Sequence, residues 1–307
     1  MTLTKCIKYD NRGGKMKIDA IIPVCNPDKR LYELIKRLLK QKRKLSKIHI
    51  ILTVTEKYGE TDFMKGLAEN ALRDRRLKVT AIDKASFNHG GTRQMAAEDS
   101  DADYCLFMTQ DALPADNCLI GRMISEFEDA DIAVCYARQL PCKKAVLKER
   151  YARSYNYPSE PMIKDRSMLE DGKIKAIFCS DVCAMYDMKI FRKLDGFVRK
   201  TDFNEDMMYA HKALKNGYMI SYCPGAKVYH SHNLSLKQQF KRNIEIAKSQ
   251  KEHPEVFGKL SSESEGVSYL KTGIKYMAKN GKMTDVIGFV ADCGFRFAGF
   301  KAGKLFK

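Results

Sequence analysis

No CxxC pair occurs among the ten cysteines, which lie at positions 6, 25, 105, 118, 135, 142, 179, 183, 223 and 293. That scatter excludes a zinc ribbon or a disulfide scaffold and reads as the reduced core thiols of a cytosolic protein. No apolar h-region follows Met1, and no stretch reaches the ~18–20 uncharged residues that span a bilayer. The chain is therefore expected to be neither secreted by that route nor membrane-spanning. There is no internal repeat, no motif that reads RNA or DNA, and no exposed aromatic series of the kind that stacks single strands. Acid is scarce: 38 Asp and Glu face 55 Lys and Arg in 307 residues, a net charge of +17. Such a balance implies anionic company, whether a nucleotide, nucleic acid or an anionic membrane surface. Hydrophobic residues make up 44%, enough for a sizeable core in one large domain or two modest ones.

Residues 1–17 are polar, basic and aperiodic, a leader. Ile18 to Val24 then reads as a buried strand stopped by Pro23 and Asn26-Pro27, and Asp28 can cap a helix with Leu31, Leu34, Ile35, Leu38 and Leu39 on one face. Further strands are expected at 47–54 and 77–82, around a helix with Met64, Leu67, Ala68, Ala71 and Leu72 inward. This alternation predicts α/β architecture with right-handed βαβ units. A helix at 114–129 and a strand at 131–138 follow. Residues 140–172 lack a clear period and are expected to form a long, partly mobile segment covering the site on the acceptor side. The strand at 175–186 is interrupted at Ser180-Asp181, the candidate acceptor contacts. Glu205 and Asp206 open a helix closing at Asn216-Gly217, strands at 218–223 and 226–229 complete the sheet, and His230-Ser-His232 follows.

The stretch from Ser86 to Leu113 holds a ligand site in outline. His89-Gly90-Gly91 reads as a turn whose glycines let backbone approach a ligand, before a helix starting near Thr92. Arg93 adds a forked charge suited to phosphate. The apolar run Tyr104 to Met108 then ends in Thr109-Gln110-Asp111, at the kind of strand end where α/β sheets bind ligands.

Ile21-Ile-Pro-Val-Cys-Asn26, the Asn88-to-Gln94 stretch, Met108-Thr-Gln-Asp-Ala112, Leu194-Asp-Gly-Phe197, Asn204-Glu-Asp206 and Val228-Tyr-His-Ser-His-Asn233 occur in an order that resembles family 2 glycosyltransferases over residues 18–250. The FNHGGTR and MTQDA forms resemble the bacterial rhamnosyltransferases that build surface polysaccharide from dTDP-L-rhamnose. The resemblance implies a GT-A fold, a mixed and mostly parallel Rossmann-like sheet flanked by helices. It also implies a nucleoside-diphosphate sugar donor held with Mg²⁺ or Mn²⁺, and transfer with inversion to a glycan or lipid-linked glycan.

Residue by residue, Asp111 matches the last acid of the DxD motif and is a metal ligand, while Thr109 replaces the first acid and, with Gln110, faces ribose or phosphate. Without that acid a metal-independent variant is the alternative, Arg93 and lysines neutralising the diphosphate. His230 or His232 completes the metal site; two residues apart on an extended chain, they would point to opposite sides, so one is expected to bind. Asp206 matches the general base, with Glu205 its rival and helix capping the bland role for either. Pro23, Val24 and Asn26 match the segment that meets the nucleobase, His89, Gly90 and Arg93 the phosphate side. Thr53-Val-Thr-Glu56 stands where the family commonly has VDxxS, which leaves dTDP against UDP open at Glu56. A UDP-sugar donor, galactofuranose or an N-acetylhexosamine, is the alternative within the class. A non-catalytic basic module binding nucleic acid or anionic lipid is the alternative outside it.

Residues 251–307 are expected to form a basic helical tail. From Met283 on, Val286, Ile287, Val290, Cys293, Phe297 and Phe300 recur at helical spacing among Lys271, Lys275, Lys279, Lys282, Lys301, Lys304 and Lys307. Such a helix either docks on its own domain or lies peripherally on the inner face of the cell membrane.

Overall fold

The computed structural model describes residues 16–128 and 131–305, so the leader expected at 1–17 lies almost wholly outside the described residues. Among them, nine strands pair into one sheet: β1 (Ile18–Cys25), β2 (Lys47–Val54), β3 (Leu77–Asp83), β4 (Tyr104–Met108), β5 (Leu113–Pro114), β6 (Ile132–Leu140), β7 (Met162–Lys164), β8 (Cys183–Asp187) and β9 (Met219–Tyr229). The order is β3-β2-β1-β4-β8-β6-β9-β5, with β7 on β9. Strands β1, β2, β3, β4, β6 and β9 run one way; β5, β7 and β8 run against them. The result is the mixed, mostly parallel sheet that was expected.

Alternation along the strands explains the layers. In β1, Ile18, Ala20, Ile22 and Val24 face one core while Ile21 faces the other. The first core is closed by α1 (Lys29–Leu39), α2 (Glu60–Glu69) and α4 (Leu119–Ser125). The second is closed by α3 (His89–Glu98), α7 (Met188–Lys193) and α8 (Glu205–Lys215). Asp28 caps α1 as expected, its Oδ1 accepting from the Arg30 N–H at 2.8 Å. In α2 the inward stripe is Phe63, Gly66 and Leu67, whereas Met64, Ala68 and Ala71 are exposed. The helix turns that way because the Tyr32 ring of α1 lies over Gly66, where a side chain would collide with it.

Residues 140–172 are not a loose segment. They contain α5 (Leu147–Asn156), β7 and α6 (Arg166–Glu170). The tyrosines that obscured the period are structural: Tyr151 of α5 packs against Tyr155, Tyr269, Tyr276 and Phe289. Tyr269 and Tyr276 belong to α11 (Glu263–Asn280) and Phe289 to α12 (Met283–Leu305). The two strands expected at 218–223 and 226–229 are one strand. Ala137 pairs with Cys223 and Arg138 with Lys227, so three residues containing Pro224-Gly225 bulge out without ending the pairing.

Following β9, α9 (Leu236–Glu252) crosses the boundary set at 250 and leads through α10 (Pro254–Phe257) to the α11–α12 pair. The docked face of α12 takes in only part of the apolar series read from the sequence, Val286 and Cys293, which pack against the Tyr151 cluster, and its fully buried residues lie outside that series. They are Phe289, Asp292, Gly299 and Gly303. A side chain at Gly299 or Gly303 would strike the Phe240 or Ile244 carbonyl of α9, so the two helices lie nearly backbone to backbone. Buried Asp292 is held by Lys148 and Arg296, each at 2.6 Å. No helix among the described residues is long and apolar enough to cross a membrane.

The turn expected at His89-Gly90-Gly91 is instead the first turn of α3, capped by Asn88 Oδ1 accepting from the Gly91 N–H at 2.7 Å. Both glycines are there because another strand of chain crosses them: a Cβ would collide with the Val198 carbonyl at Gly90 and with the Arg199 carbonyl at Gly91. Gly90→Ala should therefore lower stability by about 1–3 kcal/mol through overpacking. Urea denaturation checks this, and an unchanged midpoint would mean that the 198–201 segment does not rest on α3.

Candidate active site

The parallel strands bring their carboxyl ends to one edge of the sheet, and β8, which runs against them, brings its amino end there. In open α/β sheets this is the edge that binds ligands. It gathers Asn26 after β1, Glu56 after β2, Thr109–Asp111 after β4, Ser180–Asp181 before β8 and His230–His232 after β9.

His230 and His232 both converge on Asp111. Their Nε2 atoms are 3.0 Å apart and lie 3.6 Å and 3.4 Å from the two carboxylate oxygens. The expectation that they would point to opposite sides fails because β9 ends at Tyr229, and side-chain alternation holds only while the chain stays extended. All three ligand atoms lie within 4.8 Å of one another.

The tautomer of His230 follows from its neighbours. Gln139 on β6 has its Oε1 2.9 Å from Arg153 Nη1 and 2.9 Å from His230 Nδ1. A guanidinium only donates, so the Gln139 atom facing it is the oxygen, and His230 Nδ1 must carry the proton. The bare Nε2 then faces a carboxylate, an arrangement of acceptor against acceptor that a cation between them satisfies. Burial, with Arg153 and other nearby cations, holds His230 well below its usual pKa; burial also lowers His232, against the pull of Asp111. Two neutral imidazoles and one carboxylate fit a divalent metal.

The second cluster sits around Arg93. Its guanidinium is buried, with Nη1 3.1 Å from Glu205 Oε1 and Nε 3.5 Å from Asp181 Oδ2. Asp181 Oδ1 accepts from the Tyr186 hydroxyl at 2.6 Å. Beside them, Asp206 accepts from the Asp181 and Met207 N–H groups at 3.1 Å and 2.8 Å, and its side chain stays partly exposed. Burial and then the charge of Glu205 raise Asp206 from 3.8 to about 7. Asp181 is pushed well up by burial and then by Asp206. A carboxylate with that pKa is matched to taking up a proton near neutral pH.

Gln139 joins the two clusters: its amide donates to the Ser180 hydroxyl at 3.0 Å, next to Asp181, and to Tyr157 at 2.5 Å. Several residues singled out from the sequence have other occupations. Arg93 is spent on Glu205 and Asp181. The Gln110 amide makes two 3.0 Å bonds to the backbone of Cys25, tying β1 to the Asp111 loop. Val24 is core, Pro23 is half-buried within β1, and the buried Thr109 hydroxyl has no partner. Asn26 takes a left-handed φ of 44° and accepts from the Thr55 hydroxyl at 2.9 Å; Glu56 beside it is exposed. His89 stacks on Phe203 at 5.7 Å and packs against Arg93.

Two arginines went unnoticed in the sequence. Arg30 reaches Asp111 Oδ2 at 3.3 Å from the start of α1. Arg242 is exposed on α9 and makes no hydrogen bond or ion pair with a described residue. Helix α9 starts four residues after His232, and its Ser249 bonds Asn204 and the Phe203 carbonyl ahead of Glu205. Arg242, seven residues before Ser249 and on the same side, is close enough to both clusters that, after burial, its charge is among those lowering His89, His230 and His232. Only a basic residue following the HSH triplet at helical spacing hinted at it.

The Glycosyl transferase family 2 model matches residues 19–195. O-antigen chain rhamnosyltransferase RfbN of Salmonella typhimurium is 32% identical over 293 residues, 94% of this chain and 90% of that protein. O-antigen chain rhamnosyltransferase WbaN of Salmonella anatum is 33% identical over 230 residues, 74% of this chain and 72% of that one. Among solved structures, mannosyltransferase PcManGT from Pyrobaculum calidifontis, in complex with GDP-Man and Mn²⁺, aligns over 95% of this chain and 88% of its own with a TM-score of 0.63. At 9% identity that likeness speaks for the GT-A fold alone. Fold, strand-end acids and relatives agree, and they set aside the reading as a non-catalytic basic module: the chain belongs to glycosyl transferase family 2 and is a glycosyltransferase.

Proposed function

We propose that the enzyme transfers L-rhamnose from dTDP-L-rhamnose, with inversion, to a hydroxyl of a lipid-linked or cell-surface polysaccharide acceptor. The sugar is suggested by the two relatives named O-antigen chain rhamnosyltransferases. The mechanism rests on one observation, the Gln139-bridged pairing of the Asp111–His230–His232 triad with the partly exposed Asp206.

In this reading Asp206 takes the proton of the acceptor hydroxyl, whose oxygen forms a bond to C1 from the face opposite the diphosphate. The bond from C1 to the diphosphate oxygen breaks, and its electron pair leaves with the diphosphate. Asp111, His230 and His232 would hold a divalent ion that supplies positive charge to the diphosphate; two imidazoles favour a first-row ion such as Mn²⁺ over Mg²⁺. Arg242 and Arg30, unlike Arg93, are exposed enough to meet phosphate. Asn26 and Glu56 frame the nucleobase from adjacent strand ends, with Pro23 and Val24 setting the backbone. Ser180 and Asp181 face the acceptor side. An acceptor carried on lipid puts the reaction at the cytoplasmic face of a membrane, in peripheral contact with it.

Asp206→Asn should lower kcat by about 10²–10⁴-fold. Ionising Asp206 costs stability in the fold: the contribution is fully present below pH 3.8 and lost as pH rises through about 7. The Asn variant should thus lose activity without losing Tm at pH 8, and wild-type kcat should rise with pH through about 7. A pH-independent rate, or an active variant, would transfer the base role elsewhere.

Calorimetry should show dTDP binding that needs Mn²⁺, is lost in Asp111→Ala and is weakened about tenfold or more in Arg242→Ala. Tighter binding of UDP would keep the chemistry and change the donor to a UDP-sugar. Gln139→Leu, which frees His230 Nδ1, should weaken Mn²⁺ binding about 10–100-fold. Unchanged metal affinity in that variant would remove Gln139 from the support of the triad.

A further inference from the structure

Helix α12 has two apolar sides. One is docked on α9 and α11; the other carries Met283, Ile287, Val290, Phe297 and Leu305 at spacings of three, four, seven and eight residues. These side chains are 43–81% exposed and line one side of a helix roughly 35 Å long. An apolar stripe of that length on a soluble surface marks a contact site.

The surrounding charge is positive. Lys271, Lys275 and Lys279 recur once per turn along α11 and are exposed, as is Lys282 in the connection. The Lys301 ammonium lies over the Phe297 ring at 5.4 Å and that of Lys304 over Phe300 at 5.5 Å, which places positive charge directly beside the apolar stripe. The acids described on this pair of helices are engaged: Glu265 with Lys175 and Tyr155, Asp285 with the Lys282 N–H, and Asp292 with Lys148 and Arg296. A second copy of the chain seated on the stripe by two-fold symmetry would bring the lysines of both copies together.

We infer that the outer face of α12 is a docking surface for an anionic lipid bilayer, its apolar side chains entering the acyl boundary and its lysines meeting the headgroups. The inference deepens the proposed function by naming the surface that would keep the enzyme beside a lipid-linked acceptor. It stands on the helix itself, and its test needs neither donor nor acceptor.

The full chain is mixed with vesicles of phosphatidylcholine alone and of phosphatidylcholine with phosphatidylglycerol, at low and high salt, and sedimented. Binding should require phosphatidylglycerol, weaken with salt, and fall about tenfold or more in Ile287→Ser/Phe297→Ser. Both substituted residues are exposed, so Tm and metal-dependent dTDP binding should match wild type, which keeps failure of this inference apart from failure of the donor reading. Binding that ignores lipid charge, or survives the double substitution, overturns it. So does a wild-type dimer by light scattering that becomes a monomer in the variant while neither form binds vesicles.

Discussion

A buried guanidinium governs how the active site is put together. Arg93 of α3 stands between Asp181, which precedes β8, and Glu205, which opens α8, so three elements distant in sequence meet on one charge. Removing one partner from such a pair leaves an uncompensated charge in the interior, at about 3–5 kcal/mol. Three carboxylates share this one cation, and at Asp206 burial, and then the charge of Glu205, hold the proton to near neutrality. The glycines at 90 and 91 serve the same assembly, letting the chain that leads to Glu205 cross directly over α3.

Legibility followed physical range. β1, α1, β2 and β4 came through because hydrophobic period and capping are local signals, and the strand-end acids because a chemical motif is compact in sequence. The partners of those motifs were hidden. That Arg93 meets Glu205 and Asp181 depends on the segment leading into α8 crossing the start of α3, and that Gln110 grips Cys25 depends on register between β1 and β4. The convergence of His230 and His232 could not be read from spacing, since it turns on where β9 stops. In residues 140–172, tyrosines packed against a helix pair more than a hundred residues away erased the amphipathic pattern of α5. Helix α12 misled in the opposite sense: beside Phe289, its buried residues are two glycines and an ion-paired aspartate, which carry no hydrophobic period, while part of its apolar series faces outward.

Gln139 links the Asp111–His230–His232 cluster to the acids around Asp206. Its oxygen fixes the His230 tautomer and its nitrogen holds Ser180, the neighbour of Asp181, whose backbone in turn holds Asp206. In the proposed mechanism the two clusters would be set relative to each other by a buried amide on β6, an interior strand and not a loop.

The close seat of α12 on α9 at Gly299 and Gly303 has a mechanical meaning. Helix α9 carries Arg242 on one side and receives α12 on another, its carbonyls lying where side chains at Gly299 and Gly303 would stand. Whatever surface the outer face of α12 rests on would therefore be tied, through this seam, to the helix that carries Arg242.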